Sequence, residues 1–272
     1  MNMTLTPKEF QQIQNLVYQK AGITLSEQKQ SLVVSRLSKR ITQLALPSFQ
    51  AYYDFVMSGD DQEELTQMLD LMSTNKTDFF REPVHFDFLK ERIIPSLSST
   101  KHIRIWSSAS STGEEPYSIA MTFLDAVSNP RQWDCKILAS DISTRVLAKA
   151  AEGVYEEERV SNLSSSMVKR HCLRGRGAQE GFVKMRQQVS ELVIYRRINL
   201  MDESFPIRSP LDVIFCRNVM IYFDRPTQAA LMAKFHHYLK PGGYLFIGHS
   251  ESLQWIEHPF VYVEPTIYQK AW

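Results

Sequence analysis

From Thr6 onward the apolar positions fall three and four apart: Phe10, Ile13, Leu16 and Val17, then Val33, Leu37, Ile41 and Leu44. That spacing predicts helices that each bury one face. Thr6 before Pro7 supplies a cap and a first-turn proline for the first helix. The second is expected over Glu27–Leu46, a third over Ser48–Met57 and a fourth over Gln62–Met72, with no alternating run among them. The periodicity breaks at 73–83. Beyond it, short apolar runs alternate with amphipathic stretches. Ile103–Trp106, Ile137–Asp141, Phe182–Arg186, Leu192–Tyr195, Leu211–Cys216, Tyr244–Ile247, Val261–Val263 and Thr266–Tyr268 read as strands, the last two as a hairpin. Helical stripes between them cover Pro116–Val127, Thr144–Ala151, Ser164–Arg170 and Thr227–Leu239. Leu211–Cys216 is almost wholly apolar, as a parallel strand buried on both faces should be. Strands alternating with helices predict a doubly wound α/β sheet. The chain thus divides into an all-helical body, 1–72, a linker, 73–85, and a larger α/β body, 86–272.

Candidate chemistry concentrates between the first two strands. The turn Ser107–Gly113 holds only Ser, Ala, Thr and Gly, so a ligand can approach its backbone closely. A dinucleotide fold would carry G-x-G-x-x-G here to cradle phosphates on the helix N-terminus. Only Gly113 remains of that pattern, and Glu114 and Glu115 follow it. Two carboxylates suit the helix dipole but repel a pyrophosphate. The expected ligand is therefore neutral or cationic, and S-adenosylmethionine fits, having a ribose, an amino group, a sulfonium and no phosphate. Asp141, at the end of the second strand, is placed to accept ribose hydroxyls; its alternative role is to cap the helix that starts near Ser143. Either Glu114 or Glu115 can hold the amino group, and spacing does not choose between them.

The blocks WSSASSTGEEPYSIAM, ASD, FCRNVMIYF and LKPGGYLFIGHSE follow one another in this order. Together they resemble the CheR family of chemotaxis-receptor glutamate O-methyltransferases, and the likeness runs from about Thr4 to Ile267. The resemblance implies a Rossmann-like methyltransferase sheet preceded by a small all-α domain. It implies a small antiparallel β-subdomain, inserted around 172–196, that in some members grips a peptide at the receptor C-terminus. S-adenosylmethionine is the implied methyl donor, with S-adenosylhomocysteine as product, and receptor glutamates are the implied acceptors. Within N-x-T-x-F-F-R-E, Asn75, Thr77 and Arg81 match the family pattern and are expected to cover the cofactor. Glu114, Asp141, Asn199, Leu200, Arg217 and Asn218 are expected around it, with Arg81 and Tyr222 nearest the chemistry. The family pattern often carries Gly where this turn has Ala109, so Ala109 is expected to keep ordinary backbone angles.

A glutamate carboxylate is already ionised at neutral pH, so this methyl transfer requires no general base. The seven histidines form no His–Asp arrangement to supply one, and no metal-ligand spacing is present. A net charge of +1 over 272 residues disfavours a nucleic-acid binder. The three cysteines read as reduced buried thiols. No apolar run approaches a membrane span or a signal peptide, so a cytoplasmic monomer is expected. Charge is uneven in the helical body. Lys20, Lys29, Arg36, Lys39 and Arg40 face one acid, Glu27, whereas Asp54, Asp60, Asp61, Glu63, Glu64 and Asp70 have no base among them. Lys29, Arg36, Lys39 and Arg40 are the expected docking cations for a glutamate-rich receptor helix, with an ordinary solvated face as the alternative. The rival functions are a methyltransferase with another acceptor and a signalling adaptor that retains the fold without transfer.

Overall fold

The computed structural model describes residues 3–59, 63–73 and 75–271. The N-terminal body contains α1 (Pro7–Ala21), α2 (Gln30–Gln43), α3 (Phe49–Ser58) and α4 (Glu64–Met72). At the start of α1 the Thr6 hydroxyl accepts from Glu9 N–H while the Glu9 carboxylate accepts from Thr6 N–H, a reciprocal cap. α1 ends on Gly22 at φ +70°, where a Cβ would stand 2.4 Å from the Met201 sulfur of the second body. Glycine therefore both turns the chain and lets the two bodies approach. The second helix is shorter than its apolar stripe implies, because Glu27–Lys29 form a 3₁₀ turn and Leu44 caps the C-terminus. The start expected at Gln62 lies outside the described residues. Ile13, Val17, Val33, Leu37, Ile41, Phe49, Tyr52 and Met68 share one core.

From the end of the linker run α5 (Val84–Phe88), a π turn (Leu89–Ile93) and α6 (Ile94–Ser96). The α/β body continues as β1 (His102–Ser107), α7 (Glu114–Ala126), β2 (Asp134–Asp141), α8 (Thr144–Glu152) and β3 (Val154–Glu156). Next are α9 (Ser165–His171), β4 (Cys172–Arg174), β5 (Phe182–Met185), α10 (Gln187–Ser190) and β6 (Val193–Arg197). The chain closes with β7 (Leu211–Cys216), α11 (Arg225–Tyr238), β8 (Leu239–Ile247), β9 (Phe260–Glu264) and β10 (Ile267–Lys270).

Seven strands form the main sheet in the order β6-β2-β1-β7-β8-β10-β9. Neighbours are parallel except that β10 runs against both β8 and β9. Alternating side chains pack opposite faces of the sheet. Ile105 joins Ile119, Phe123 and Phe215 in one core, and its neighbour Trp106 joins Ile214, Phe235 and Leu245 in the other. Helices cover both faces, so the sheet is doubly wound. The chain passes from β1 outward through β2 to β6, then crosses to β7 on the other side of β1. That reversal opens a crevice beyond the carboxyl ends of β1, β2 and β7.

The insertion differs from its expected 172–196 extent. β3, β5 and β4 form a separate antiparallel three-stranded sheet, with β5 in the middle. The strand expected at Leu192–Tyr195 belongs instead to the main sheet, as edge strand β6 pairing in parallel with β2. Strands of three residues, such as β3 and β4, are too short to show a period of two. The run 193–197 looks like a partner for β5 only because it follows it in sequence. No helix among the described residues is long and apolar enough to cross a membrane.

Candidate active site

The turn after β1 is sewn to the ends of two strands. Ser108 N–H donates to the Phe215 carbonyl at 2.9 Å and Ser110 N–H to the Ser140 carbonyl at 2.8 Å. Ser111 (φ 48°) and Gly113 (φ 99°) take the left-handed bends, while Ala109 is not among the left-handed residues. At Gly113 a Cβ would lie 2.8 Å from the Tyr155 hydroxyl oxygen, so the position is closed to other residues by space as well as by φ. Two backbone donors converge on Asp141. From the turn, Ser111 N–H reaches Oδ2 at 2.9 Å, and from the start of α8 Ser143 N–H reaches Oδ1 at 3.0 Å. Capping of α8 falls to the Ser143 hydroxyl, which accepts from Val146 N–H. Asp141 is buried, and that burial raises its pKa; the two N–H donors oppose the shift, and Asp70 on α4 adds to it.

Two cavities meet at Ala109. The first, of about 90 Å³, is largely apolar and lies between the two bodies: Ala21, Ile23 and Met72 come from the helical body, Ser73 and Asn75 from the linker. Its other walls are Ser108, Asp141, Ile142, Ile198, Asn199, Leu200, Val219, Tyr222 and Phe223. The second, of about 50 Å³, is polar and is lined by Lys76, Thr77, Asp78, Arg81, Ser111, Glu115, Arg217 and Asn218. Of the residues expected around the cofactor, Asn75, Asp141, Asn199, Leu200 and Tyr222 line the apolar cavity. Thr77, Arg81, Arg217 and Asn218 line the polar one. The two residues expected nearest the chemistry, Arg81 and Tyr222, thus line different cavities.

The structure distinguishes Glu114 from Glu115. Glu114 lines neither cavity: its carboxylate accepts from the Thr112 hydroxyl at 2.6 Å and from Arg159 Nη2 at 2.5 Å. Glu115 faces the polar cavity, accepting from the Ser107 hydroxyl (2.7 Å) and from Arg217 Nη1 (3.0 Å). Consecutive residues on a helix point about 100° apart, so only one of the pair can face the crevice. Burial raises the Glu115 pKa, with Arg217 and Ser107 pulling it back down.

Arg217 is the hub of the polar side. Its guanidinium is 3% exposed, bridges Glu115 and Glu82 (Nη2 to Oε2, 2.9 Å), donates to the Arg81 carbonyl, and lies 5.6 Å from the Phe86 ring centroid. Asn218, at φ 60°, donates its side-chain amide to Glu82 and its backbone N–H to Glu251. Glu82 lies close to His85 and His249, but both of its oxygens are already engaged by Arg217, Asn218 and the His249 N–H. Arg81 is more open, donating to the Lys76 carbonyl at 3.2 Å.

Several expected ligands turn out to hold the two bodies together. The Asn199 side chain donates to the Lys20 carbonyl (2.6 Å) and accepts from Met201 N–H (3.0 Å), so its amide is used in joining α1 to the α/β body. Thr24 N–H donates to the Tyr222 carbonyl, and the Tyr18 hydroxyl donates to Asp224. Among the expected docking cations two are corrected. Arg36 donates to the carbonyls of Leu71, Met72 and Ser73 at the end of α4, and Arg40 pairs with the buried Glu64, which also accepts from Tyr52. Both have the i, i+4 spacing of a surface stripe, yet they serve α4. Lys39 is exposed, and Lys29 lies 5.6 Å from the Tyr222 ring centroid. On the acidic side Glu64 and Asp70 are buried, and Asp60 and Asp61 lie outside the described residues.

The residues present suit S-adenosylmethionine. Each Asp141 oxygen accepts one backbone N–H and retains capacity for a second bond, beside apolar walls suited to a flat base. The N-terminus of α7 offers carboxylates where a phosphate would need donors. Residues 8–73 match the family model described as the CheR methyltransferase all-alpha domain, and residues 75–268 match its SAM-binding domain. A chemotaxis protein methyltransferase of Escherichia coli is 40% identical over 98% of this chain and 92% of its own length. Chemotaxis protein methyltransferase 2 of Pseudomonas aeruginosa is 41% identical (98% and 94%), and the enzyme of Borreliella burgdorferi is 39% identical (99% and 96%). With both domain models matched in order and these relatives aligned almost end to end, the chain belongs to the CheR family of S-adenosylmethionine-dependent methyltransferases.

Proposed function

We propose that this protein methylates glutamate side chains on the cytoplasmic helical domain of chemotaxis receptors, forming methyl esters during sensory adaptation. The observation that carries the reading is a pair of cavities that share Ala109 as a wall: an apolar one lined by Asp141, and a polar one lined by Arg81. Bound S-adenosylmethionine supplies a methyl group already activated by the sulfonium charge. The Asp141 carboxylate takes the ribose hydroxyls, with Ile198, Leu200 and Phe223 around the base. Glu115 takes the amino group in place of Glu114. Tyr222 offers an aromatic face to the sulfonium, an attraction of ~0.5–2 kcal/mol. Arg81 orients the incoming carboxylate, because its planar fork matches two oxygens. The acceptor arrives ionised, so no residue has to remove a proton. The protein's work is alignment and exclusion of water.

Lys39 and Lys29 are the remaining docking cations for an acidic receptor helix, acting as a monomer from the water side. The small sheet β3-β5-β4 is the surface for a receptor C-terminal segment. The test uses labelled S-adenosylmethionine with membranes bearing the cognate receptors, followed by mild alkali. Label that enters the receptor band and leaves as methanol supports the reading. Cofactor binding without alkali-labile label means another acceptor, or an adaptor that does not transfer.

A further inference from the structure

Arg159 belongs to no motif; it ends the acidic run Glu156-Glu157-Glu158 in the 3₁₀ turn Glu157–Val160, just after β3. Its guanidinium nevertheless leaves the small sheet and joins two other parts of the molecule. Nη2 donates to Glu114 Oε1 at the start of α7 and to the Thr77 carbonyl in the linker, both at 2.5 Å. Nη1 lies 3.3 Å from Asp78 Oδ1. The Glu114 side chain is 1% exposed, and its other partner is the Thr112 hydroxyl. Neighbouring residues of the insertion grip the same parts: the Tyr155 hydroxyl donates to the Thr112 carbonyl (2.7 Å), and the Asn162 amide donates to the Phe79 carbonyl (2.6 Å). Phe79 and Tyr155 pack edge to face at 5.0 Å. Thr77 and Asp78 are walls of the polar cavity, whereas Arg159 and Glu114 stand behind that wall.

We propose that Arg159 is a positioning residue for cofactor binding, clamping linker residues Thr77 and Asp78 against the N-terminus of α7 so that the wall of the polar cavity is formed before the cofactor arrives. The inference rests on the methyltransferase reading above and adds to it a residue that never touches the cofactor. A guanidinium suits the task because three acceptors lie around one planar fork. A lysine can neutralise Glu114 as a point charge but cannot reach the carbonyl and both carboxylates at once.

The experiment measures S-adenosylhomocysteine affinity by calorimetry, cofactor KM and kcat for receptor methylation, and amide exchange of residues 75–81, on the full chain. Arg159→Gln should raise the cofactor dissociation constant and KM about tenfold or more, about the loss of one charge-assisted bond. Its kcat at saturating cofactor should change by less than about threefold, since the reacting groups are untouched. Exchange at 75–81 should rise without cofactor present. Arg159→Lys should fall between. The pair Glu114→Gln/Arg159→Gln removes the stranded buried carboxylate, so thermal stability should recover while the cofactor defect persists. An unchanged dissociation constant in folded Arg159→Gln overturns the proposal. So does a defect that disappears in the double variant, which would make Arg159 only a counter-ion. A wild-type protein that binds no S-adenosylhomocysteine overturns the methyltransferase reading instead, and the exchange measurement still tests the clamp.

Discussion

Arg217 is the most consequential single residue on the polar side, and Arg217→Met tests that directly. Methionine fills much of the side chain's volume against Phe86 but leaves Glu115 and Glu82 without their shared cation. Removing one partner from a buried ion pair costs roughly 3–5 kcal/mol, mainly because the remaining charge is stranded. For a body of this size each kcal/mol lowers the midpoint by about 2–4 °C, so a fall of roughly 6–20 °C is expected. The loss should depend on pH with a definite sign. Burial holds the folded pKa of Glu115 above its ordinary 4.5, and Arg217 is the first influence opposing that rise. Without Arg217 the folded pKa climbs further. A raised carboxyl pKa gives stability that is fully present below the unfolded value and is lost as pH rises through the folded one. The variant should therefore approach wild type near about pH 4.5 and show its full deficit near about pH 8. Urea unfolding at both pH values, followed by tryptophan fluorescence, reads the difference. Adding Glu115→Gln should recover part of it. A deficit below about 1 kcal/mol, equal at both pH values, would mean the two carboxylates are solvated and the network is not what holds this wall.

Three further outcomes follow from the same geometry. Asp141→Asn should weaken S-adenosylhomocysteine binding by about 1.5–3 kcal/mol, roughly tenfold to 150-fold, as measured by calorimetry. Because the folded pKa of Asp141 is raised, wild-type affinity should begin to fall at a higher pH than a solvated aspartate would give, and the Asn variant should flatten that profile. Arg36→Ala should destabilise the helical body by about 1–3 kcal/mol through the three carbonyls it serves, whereas Lys39→Ala should leave unfolding unchanged and reduce the salt sensitivity of receptor methylation. If Tyr222, which lines the apolar cavity, acts through its ring, Tyr222→Phe should keep cofactor affinity and Tyr222→Ala should lower it; equal losses in both would assign the role to the hydroxyl.

What the sequence made legible was what repeats or has a period. The helical stripes, the nearly all-apolar β7, the small-residue turn and the aspartate closing β2 all show in spacing and composition, and they place the crevice. Three-residue strands have no period to read, so β3 and β4 leave no signal, and spacing alone does not separate β6 from the sheet of β5. Side-chain direction was harder still. Glu114 and Glu115 are adjacent in sequence, and what separates them is a partner 45 residues away for one and 102 away for the other. Arg36 and Arg40 have the spacing of a solvated stripe, and only the three-dimensional return of α4 turns them inward. Arg159 had no signal beyond a single base after three acids.

The side-chain contacts that spacing does not reveal share a feature that bears on how the site works. Each is made by a charged side chain that spans two parts of the chain: Arg36 and Arg40 join α2 to α4, Arg217 joins the linker to α7, and Arg159 joins the small sheet to both. Asn199 does the same between the two bodies with an amide. The two cavities therefore lie within a set of long-range polar cross-links rather than inside one element. Ala21, Ile23 and Met72 wall the apolar cavity from the helical side, so a ligand there contacts both bodies at once. A ligand that binds only the docked arrangement stabilises it by RT ln(1 + L/Kd), where L is the free ligand concentration. Binding of a ligand in this cavity and docking of the two bodies are then two readings of one equilibrium, which suits an enzyme whose chemistry asks for alignment and little else.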